Sequence, residues 1–368
     1  MGREFASVAA RWCHLLDLDV RPEIVAVCDA NPAAMEWFTR NFAIPQATSD
    51  YKELLANTDV DAVYCAVPHN LHERLYTDIL AAGKHLMAEK PFGIDLGACE
   101  RILTEVRAHP ELLVRCSSEF PFVPASRRIF KMIEEEAFGE IIEVRAGLLH
   151  SSDLDPNKPI NWKRKIDMCG EYGCMGDLGM HIVHIPVRAG WLPANVRALL
   201  SNIVKQRPDG KGGMAACETW DNAVLACETV QGFPMLLETK RISPADTNTW
   251  YLEVTGTKNS AQFSTKLPKT LRTMPYTSGV AQNWHVEDLG YDTAYKTITG
   301  SIFEFGFSDS ILQMWAAFVD ELANGDKMIG GFRCATPDEA HVSHLLFTAA
   351  LESQRDKSTV ALRHEAVG

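Results

Sequence analysis

EIVAVCDANP, residues 23–32, decides how this chain is read. From Ile24 to Cys28 the residues are apolar without a break, and the run stops at Asp29. An apolar run that does not alternate fits a strand covered on both faces, as in parallel sheets. Pro32 then opens a stretch with Met35, Phe38 and Phe42 at helical spacing. Proline suits a first helical turn because its missing N–H would have no partner there. The unit is strand, acidic tip, helix, and it recurs. DAVYCAVP (61–68) is a second buried strand, LHERLYTDILAAGK (71–84) a helix ending at Gly83, and HLMAEKP (85–91) a third strand. Asp95 can cap LGACERILTEVRAH (96–109), and LLVRCSSEF (112–120) adds another strand. Regular alternation to about residue 122 predicts an α/β fold with a doubly wound, parallel, Rossmann-like sheet and helices on both faces.

Beyond that point the pattern changes. After one helix (125–139) come EIIEVRAGLLH (140–150), RALLSNIVKQ (197–206), AVLACETV (223–230), FPMLLETKRI (233–242), TWYLEVTGT (249–257) and SAQFST (260–265), separated by turns instead of crossover helices. Several alternate apolar with polar, which marks an antiparallel sheet with one wet face. Helices at SILQMWAAFVDELANG (310–325) and TPDEAHVSHLLFTAALESQ (336–354) close the chain. The predicted organisation is a nucleotide-type domain over 1–122 and an α+β domain with a large, open, mainly antiparallel sheet over 123–368. The last helix is expected to pack back on the first domain.

Composition narrows the class of partner. A net charge of −12, with no dense run of Lys or Arg, argues against nucleic acid and anionic membrane surfaces. No apolar stretch reaches the roughly 18 residues that a spanning helix needs. The ten cysteines contain no C-x-x-C pair and sit in apolar runs, as reduced, buried thiols do, which suggests the cytoplasm.

The opening, MGREFASVAARW (1–12), reads as a buried helix already under way behind Gly2. A dinucleotide-binding domain places a strand and the turn G-x-G-x-x-G before its first helix, then an acidic residue that accepts from the adenosine ribose hydroxyls. Asp29 lies 27 residues after Gly2. If Gly2 is the third glycine, the first strand and the first two glycines, about ten residues, are missing. A carboxylate at Asp29 accepts from both ribose hydroxyls and repels a 2′-phosphate, which favours NAD over NADP.

MAEKPFGID (87–95) carries a resemblance. Glu89-Lys90-Pro91 at a strand end resembles the E-K-P signature of the Gfo/Idh/MocA oxidoreductases. GREFASVAARW looks like the tail of that family's G-x-G-x-M-G-R fingerprint, AVCDANP (26–32) like its ribose-binding strand end, and AVPHNLH (66–72) like its T-P-N-x-L-H loop. GEYGCMGDLGMHIVH (170–184) resembles G-G-G-x-L-x-D-x-G-x-H-x-x-D, and VTGTKNSAQF (254–263) a G-T-K-G-S sheet edge. The matches fall in the family's order.

The resemblance implies a nicotinamide cofactor contacted by Gly2, Arg3, Asp29, Val67, Pro68, His69, His72, Glu89 and Lys90. Lys90 would touch the substrate oxygen and the nicotinamide ribose. Burial and the charge of oxidised nicotinamide would both lower its pKa, and the Lys90–Pro91 bond is expected to be cis. His181 is implied as the general base and Asp177, four residues earlier, as its orienter or the substrate's. Trp162 and Lys163 stand where the family has a Trp-Arg pair in the substrate pocket, and His184 replaces its last Asp. Val67, His69 and Pro121 are further departures, which bear on which substrate is bound. Asp177, His181 and His184 at i, i+4 and i+7 could also hold zinc or iron, but the same residues have roles in a metal-free family and no metal is expected.

The implied activity is hydride transfer between NAD and a secondary alcohol of a sugar, cyclitol or related polyol, by a homo-oligomeric dimer or tetramer. The competing reading is a non-catalytic ligand-binding or regulatory protein on the same scaffold.

Overall fold

The computed structural model describes residues 1–364. Its first part runs α1 (Gly2–Ala10), β1 (Ala26–Cys28), α2 (Pro32–Asn41), β2 (Gln46–Thr48), α3 (Tyr51–Ala56), β3 (Ala62–Cys65), α4 (His72–Ala81), β4 (His85–Ala88), α5 (Leu96–Ala108) and β5 (Val114–Cys116). The starts are set by side chains. Asn31 accepts from the Ala33 N–H before Pro32, and Asp95 from the Ala98 N–H, each taking up an N–H that the helix itself leaves unbonded. All strand pairs here are parallel, as expected for a Rossmann-like layer.

The layer is in two pieces, however, β1-β2 and β3-β4-β5. Among the described residues no ladder joins β1 to β3. This corrects the expectation of strands fully buried on both faces: β1 is half-buried throughout, and so are Ala62, Val63 and Tyr64 of β3. A strand paired along one edge only leaves its other edge and part of each face open. In central β4, by contrast, Leu86, Met87 and Ala88 are sealed.

The second part runs α6 (Pro124–Glu134), β6 (Ile141–His150), α7 (Ile166–Cys169), α8 (Cys174–Arg188), β7 (Pro193–Ser201), β8 (Gln206–Pro208), β9 (Met214–Ala216), β10 (Asn222–Thr229), β11 (Pro234–Lys240), β12 (Asn248–Gly256), β13 (Asn259–Ser264), β14 (Thr270–Pro275), β15 (His285–Asp288), α9 (Phe307–Asn324), α10 (Pro337–Asp356) and β16 (Val360–Ala361). Nine strands form one sheet in the order β15-β14-β13-β12-β6-β11-β10-β7-β16. Every neighbouring pair is antiparallel except β6–β11. Alternation is legible in β10, where Ala223, Leu225 and Cys227 face the core and Ala226 and Glu228 face out. The hairpin β8–β9, strand β14 and the edge strands β15 and β16 were not expected from the sequence, nor were β2 and α3.

Helix α8 lies on the covered face of the large sheet, against β6, β10, β11 and β12. It runs unbroken through Gly179 and Pro186, and nearly all of it is buried. Gly179 is required for contact: a Cβ there would fall 2.2 Å from the Phe347 ring of α10. The closing helices return to the first layer. Helix α10 packs on α5 and β5 and also on α8 and β7. Helix α9 packs on α1, with Val8 and Trp12 in one apolar cluster with Ile311 and Trp315.

Candidate active site

The carboxyl end of β4 meets the first turn of α8. Lys90, two residues past β4 and joined to Pro91 by a cis peptide bond, reaches across to Asp177. Its Nζ donates to the Asp177 carbonyl oxygen at 2.7 Å and to Oδ1 at 3.1 Å. The 3₁₀ turn Trp162–Arg164, capped by Asn161, brings Lys163, whose Nζ donates to both carboxylate oxygens at 2.9 and 3.0 Å. Arg241, just past β11, donates Nε–H to Oδ2 at 3.2 Å, with Nη2 at 2.9 Å from the same oxygen. One buried carboxylate therefore holds three cations. Burial alone would raise its pKa, but Lys163, Lys90 and Arg241 keep it well below the usual carboxylate range.

One turn along α8, His181 is also buried. Burial, and then the charge of Lys90, push its pKa well below the ordinary value, so the imidazole is neutral at physiological pH, as a proton acceptor must be. Its backbone carbonyl accepts from Trp250 Nε1 at 2.9 Å, and Phe120 packs edge-on against its ring at 5.3 Å. Nδ1 of His181 lies 3.5 Å from Glu119 Oε2 and has no hydrogen-bond partner. Glu119, entirely buried, has its pKa raised to about 7, chiefly by desolvation.

A second shell of buried charge fixes Lys163. Arg164 bonds Asp221 at 2.8 Å and contacts Asp153, all three sealed from solvent. Thr219 Oγ1 and Arg241 Nη1 both donate to the Lys163 carbonyl oxygen, at 2.8 and 3.4 Å. The other residue at the mouth is Trp162, half-buried, with His69 edge-on at 4.8 Å and the Lys163 ammonium 5.7 Å from its ring centroid.

Sequence reasoning placed Lys90, Asp177, His181, Trp162, Lys163 and His69 in one cluster, and the structure brings them together. Four expectations need correction. Lys90 does not have a lowered pKa: burial favours that, but the carboxylates of Asp177, Glu89 and Glu119 outweigh it and raise the value. His72 is not aimed at a ligand. Fully buried, its Nδ1 lies 2.8 Å from the Pro91 carbonyl oxygen and its Nε2 3.1 Å from that of Val67, bracing the two loops together. His184 faces away from the cluster, sealed beside Phe332 with Glu339 3.8 Å from Nε2, because α10 begins over that turn of α8. Glu89 is buried and accepts from the Tyr64 hydroxyl, so it holds the turn instead of facing a ligand.

Asp29 is exposed just past β1, with Oδ1 accepting from the Asn31 N–H at 2.8 Å. Gly2 and Arg3 open α1, whose first turn has no side-chain cap, and the Arg3 guanidinium lies over the Trp37 ring at 5.4 Å. Val67 and Pro68, half-buried, lead into the 3₁₀ turn at His69. Glu119, Arg241 and the Arg164–Asp221 pair were missed. The available signals were weak: an acid inside the apolar stretch 112–124, and an arginine directly after the apolar strand β11.

Residues 2–115 match the model of the oxidoreductase family with NAD-binding Rossmann fold, GFO_IDH_MocA, and residues 126–262 match a C-terminal domain of the same family. The chain belongs to the Gfo/Idh/MocA family. Among its relatives, levoglucosan dehydrogenase of Pseudarthrobacter phenanthrenivorans is 28% identical over 193 residues, 52% of this chain and 49% of that protein. A dTDP-3,4-didehydro-2,6-dideoxy-alpha-D-glucose 3-reductase of Actinomadura kijaniata is 30% identical over 48% of this chain and 50% of its own length. These sequence matches thus span about half of each relative. In fold the likeness runs through the whole Gfo/Idh/MocA chain: the solved complex of levoglucosan dehydrogenase with NADH and L-sorbose superposes with a TM-score of 0.88 at 22% identity, covering 99% of this chain and 96% of that one.

Proposed function

We propose that this chain is an NAD-dependent dehydrogenase moving hydride between the nicotinamide and a secondary alcohol carbon of a sugar, cyclitol or related polyol. The observation that carries the reading is the meeting of Lys90, Asp177 and His181 beyond the carboxyl end of β4, where open α/β sheets bind their ligands.

The exposed Asp29 carboxylate and the uncapped first turn of α1 are the acceptor and donors that a dinucleotide needs, so these residues fit NAD. Asp29 would take the adenosine ribose hydroxyls, the first-turn N–H groups at Gly2 and Arg3 the pyrophosphate, and Val67, Pro68 and Lys90 the nicotinamide half. When bound, the oxidised nicotinamide supplies the hydride acceptor. Neutral His181 takes the hydroxyl proton as the substrate carbon gives up hydride and its C–O bond becomes C=O. Charged Lys90 donates to that oxygen and stabilises the negative charge that develops on it. Asp177 keeps the Lys90 and Lys163 ammonium groups oriented, and Trp162 offers an apolar face to the C–H side of a polyol ring.

A polyhydroxy substrate agrees with relatives named for levoglucosan and for a deoxyhexose. The outward sheet face carries exposed Leu199 with half-buried Val224 and Leu236 on the neighbouring strands, which supports a homo-oligomer, to be read by light scattering on a sizing column. All ten cysteines are free thiols, which supports a reducing, cytoplasmic location. The test of the reaction is NADH formation over a panel of polyols, with calorimetric titration of NADH. Absence of both turnover and NADH binding would refute the assignment.

A further inference from the structure

Nδ1 of His181 and the Glu119 carboxylate face each other 3.5 Å apart inside the protein, both residues being buried. Nδ1 has no hydrogen-bond partner, and a buried polar atom left so costs about 1–3 kcal/mol. A movement of about half an ångström closes the gap to hydrogen-bond distance. Nε2 of His181 is not among the sealed, unpartnered atoms, so it is the ring nitrogen that keeps access to the cleft. Phe120 and the Trp250 bond hold the ring and its backbone in place.

We propose that Glu119 is a positioning residue: its carboxylate takes the Nδ1–H of His181, which leaves Nε2 unprotonated toward the cleft as the acceptor of the substrate's hydroxyl proton. When that proton arrives, the imidazolium lies beside a carboxylate. The inference rests on the dehydrogenase reading for its catalytic consequence, but the tautomer itself does not depend on it.

The surroundings make the arrangement pH-sensitive near neutrality. Glu119 is faced by Lys90 and Glu89 past β4 and by Tyr64 of β3; His181 is faced also by Asp177 on α8 and by His150 at the end of β6, with His184 one turn further along α8 and turned away. Desolvation raises the Glu119 pKa to about 7, with Lys90 opposing and Glu89 assisting. Below that pH the carboxyl carries its own proton and donates to Nδ1, which moves the imidazole proton to Nε2. That tautomer serves carbonyl reduction and cannot accept from an alcohol. Alkaline pH therefore favours oxidation and acid pH favours reduction.

The test uses the full chain with ¹⁵N-labelled histidine, His181 being assigned by its loss in His181→Gln. In the wild type, Nδ1 should be protonated and Nε2 bare above neutrality, with crossover near pH 7. In Glu119→Gln, an isosteric change, the crossover should vanish. Polyol oxidation by that variant should fall about tenfold to a hundredfold in kcat, its pH profile should lose the limb near 7, and KM should stay within about threefold. An Nε2–H tautomer in the wild type at alkaline pH, or an unchanged crossover in Glu119→Gln, overturns the proposal even if no polyol is turned over. Absence of both polyol turnover and NADH binding in the wild type would instead sink the dehydrogenase reading and leave the tautomer result standing.

Discussion

Glutamine at position 119 should stabilise this protein at pH 8 and barely affect it at pH 5. The buried carboxyl titrates at about 7 in the fold against an ordinary 4.5, so folding disfavours its charged form. The sign follows: the folded state holds this proton more tightly, so stability declines as pH climbs from 4.5 and levels off above 7. At about 1.4 kcal/mol per tenfold change in proton affinity, the cost at pH 8 is about 3 kcal/mol, and at pH 5 it is below about 1 kcal/mol. A neutral amide of the same shape is free of that cost. With an unfolding entropy of about 2.1 cal/mol/K per residue over 368 residues, 3 kcal/mol corresponds to a rise of about 4 °C in Tm. Calorimetric scans of wild type and Glu119→Gln at both pH values read the difference directly. Equal Tm changes at the two pH values, or a lower Tm for the variant at pH 8, would show that Glu119 is not held against its charge, and the argument about the imidazole would lose its support.

Asp177→Asn leaves Lys90, Lys163 and Arg241 without their carboxylate and should cost about 3–5 kcal/mol in urea unfolding at neutral pH, together with turnover. Because its pKa is depressed in the fold, this contribution is present in full above the ordinary 3.8 and should shrink in the wild type as pH falls toward the folded value. Gly179→Ala drives a methyl into the Phe347 ring and should destabilise by about 1–3 kcal/mol, with part recovered on adding Phe347→Leu. Asp29→Ala should weaken NADH binding about tenfold or more in a calorimetric titration and narrow the preference over NADPH.

Much of the architecture was legible because it is written in local pattern. The runs at 24–28, 62–68 and 86–88 are apolar without alternation, and Pro32 and Asp95 stand where helices begin. The half-buried state of β1 and β3 was not legible, since the number of partners a strand finds is a tertiary fact. His184 illustrates another limit. Its spacing from Asp177 puts it on the same helical face, but about 10 Å further along the axis, where Glu339 and Phe332 cover it. Glu119 looked like a strand end. Only its neighbours show that a charge there is shut in with an imidazole.

The closing helices of the chain carry one more implication. Residues 337–356 touch both the parallel layer and the broad sheet, while 307–324 lie on the first helix. The final sixth or so of the polypeptide is therefore a clasp across the cleft that holds Lys90 opposite Asp177. A chain cut at residue 306 should yield not an amputated enzyme with an intact cofactor module, but two loosened halves whose amine and carboxylate no longer meet.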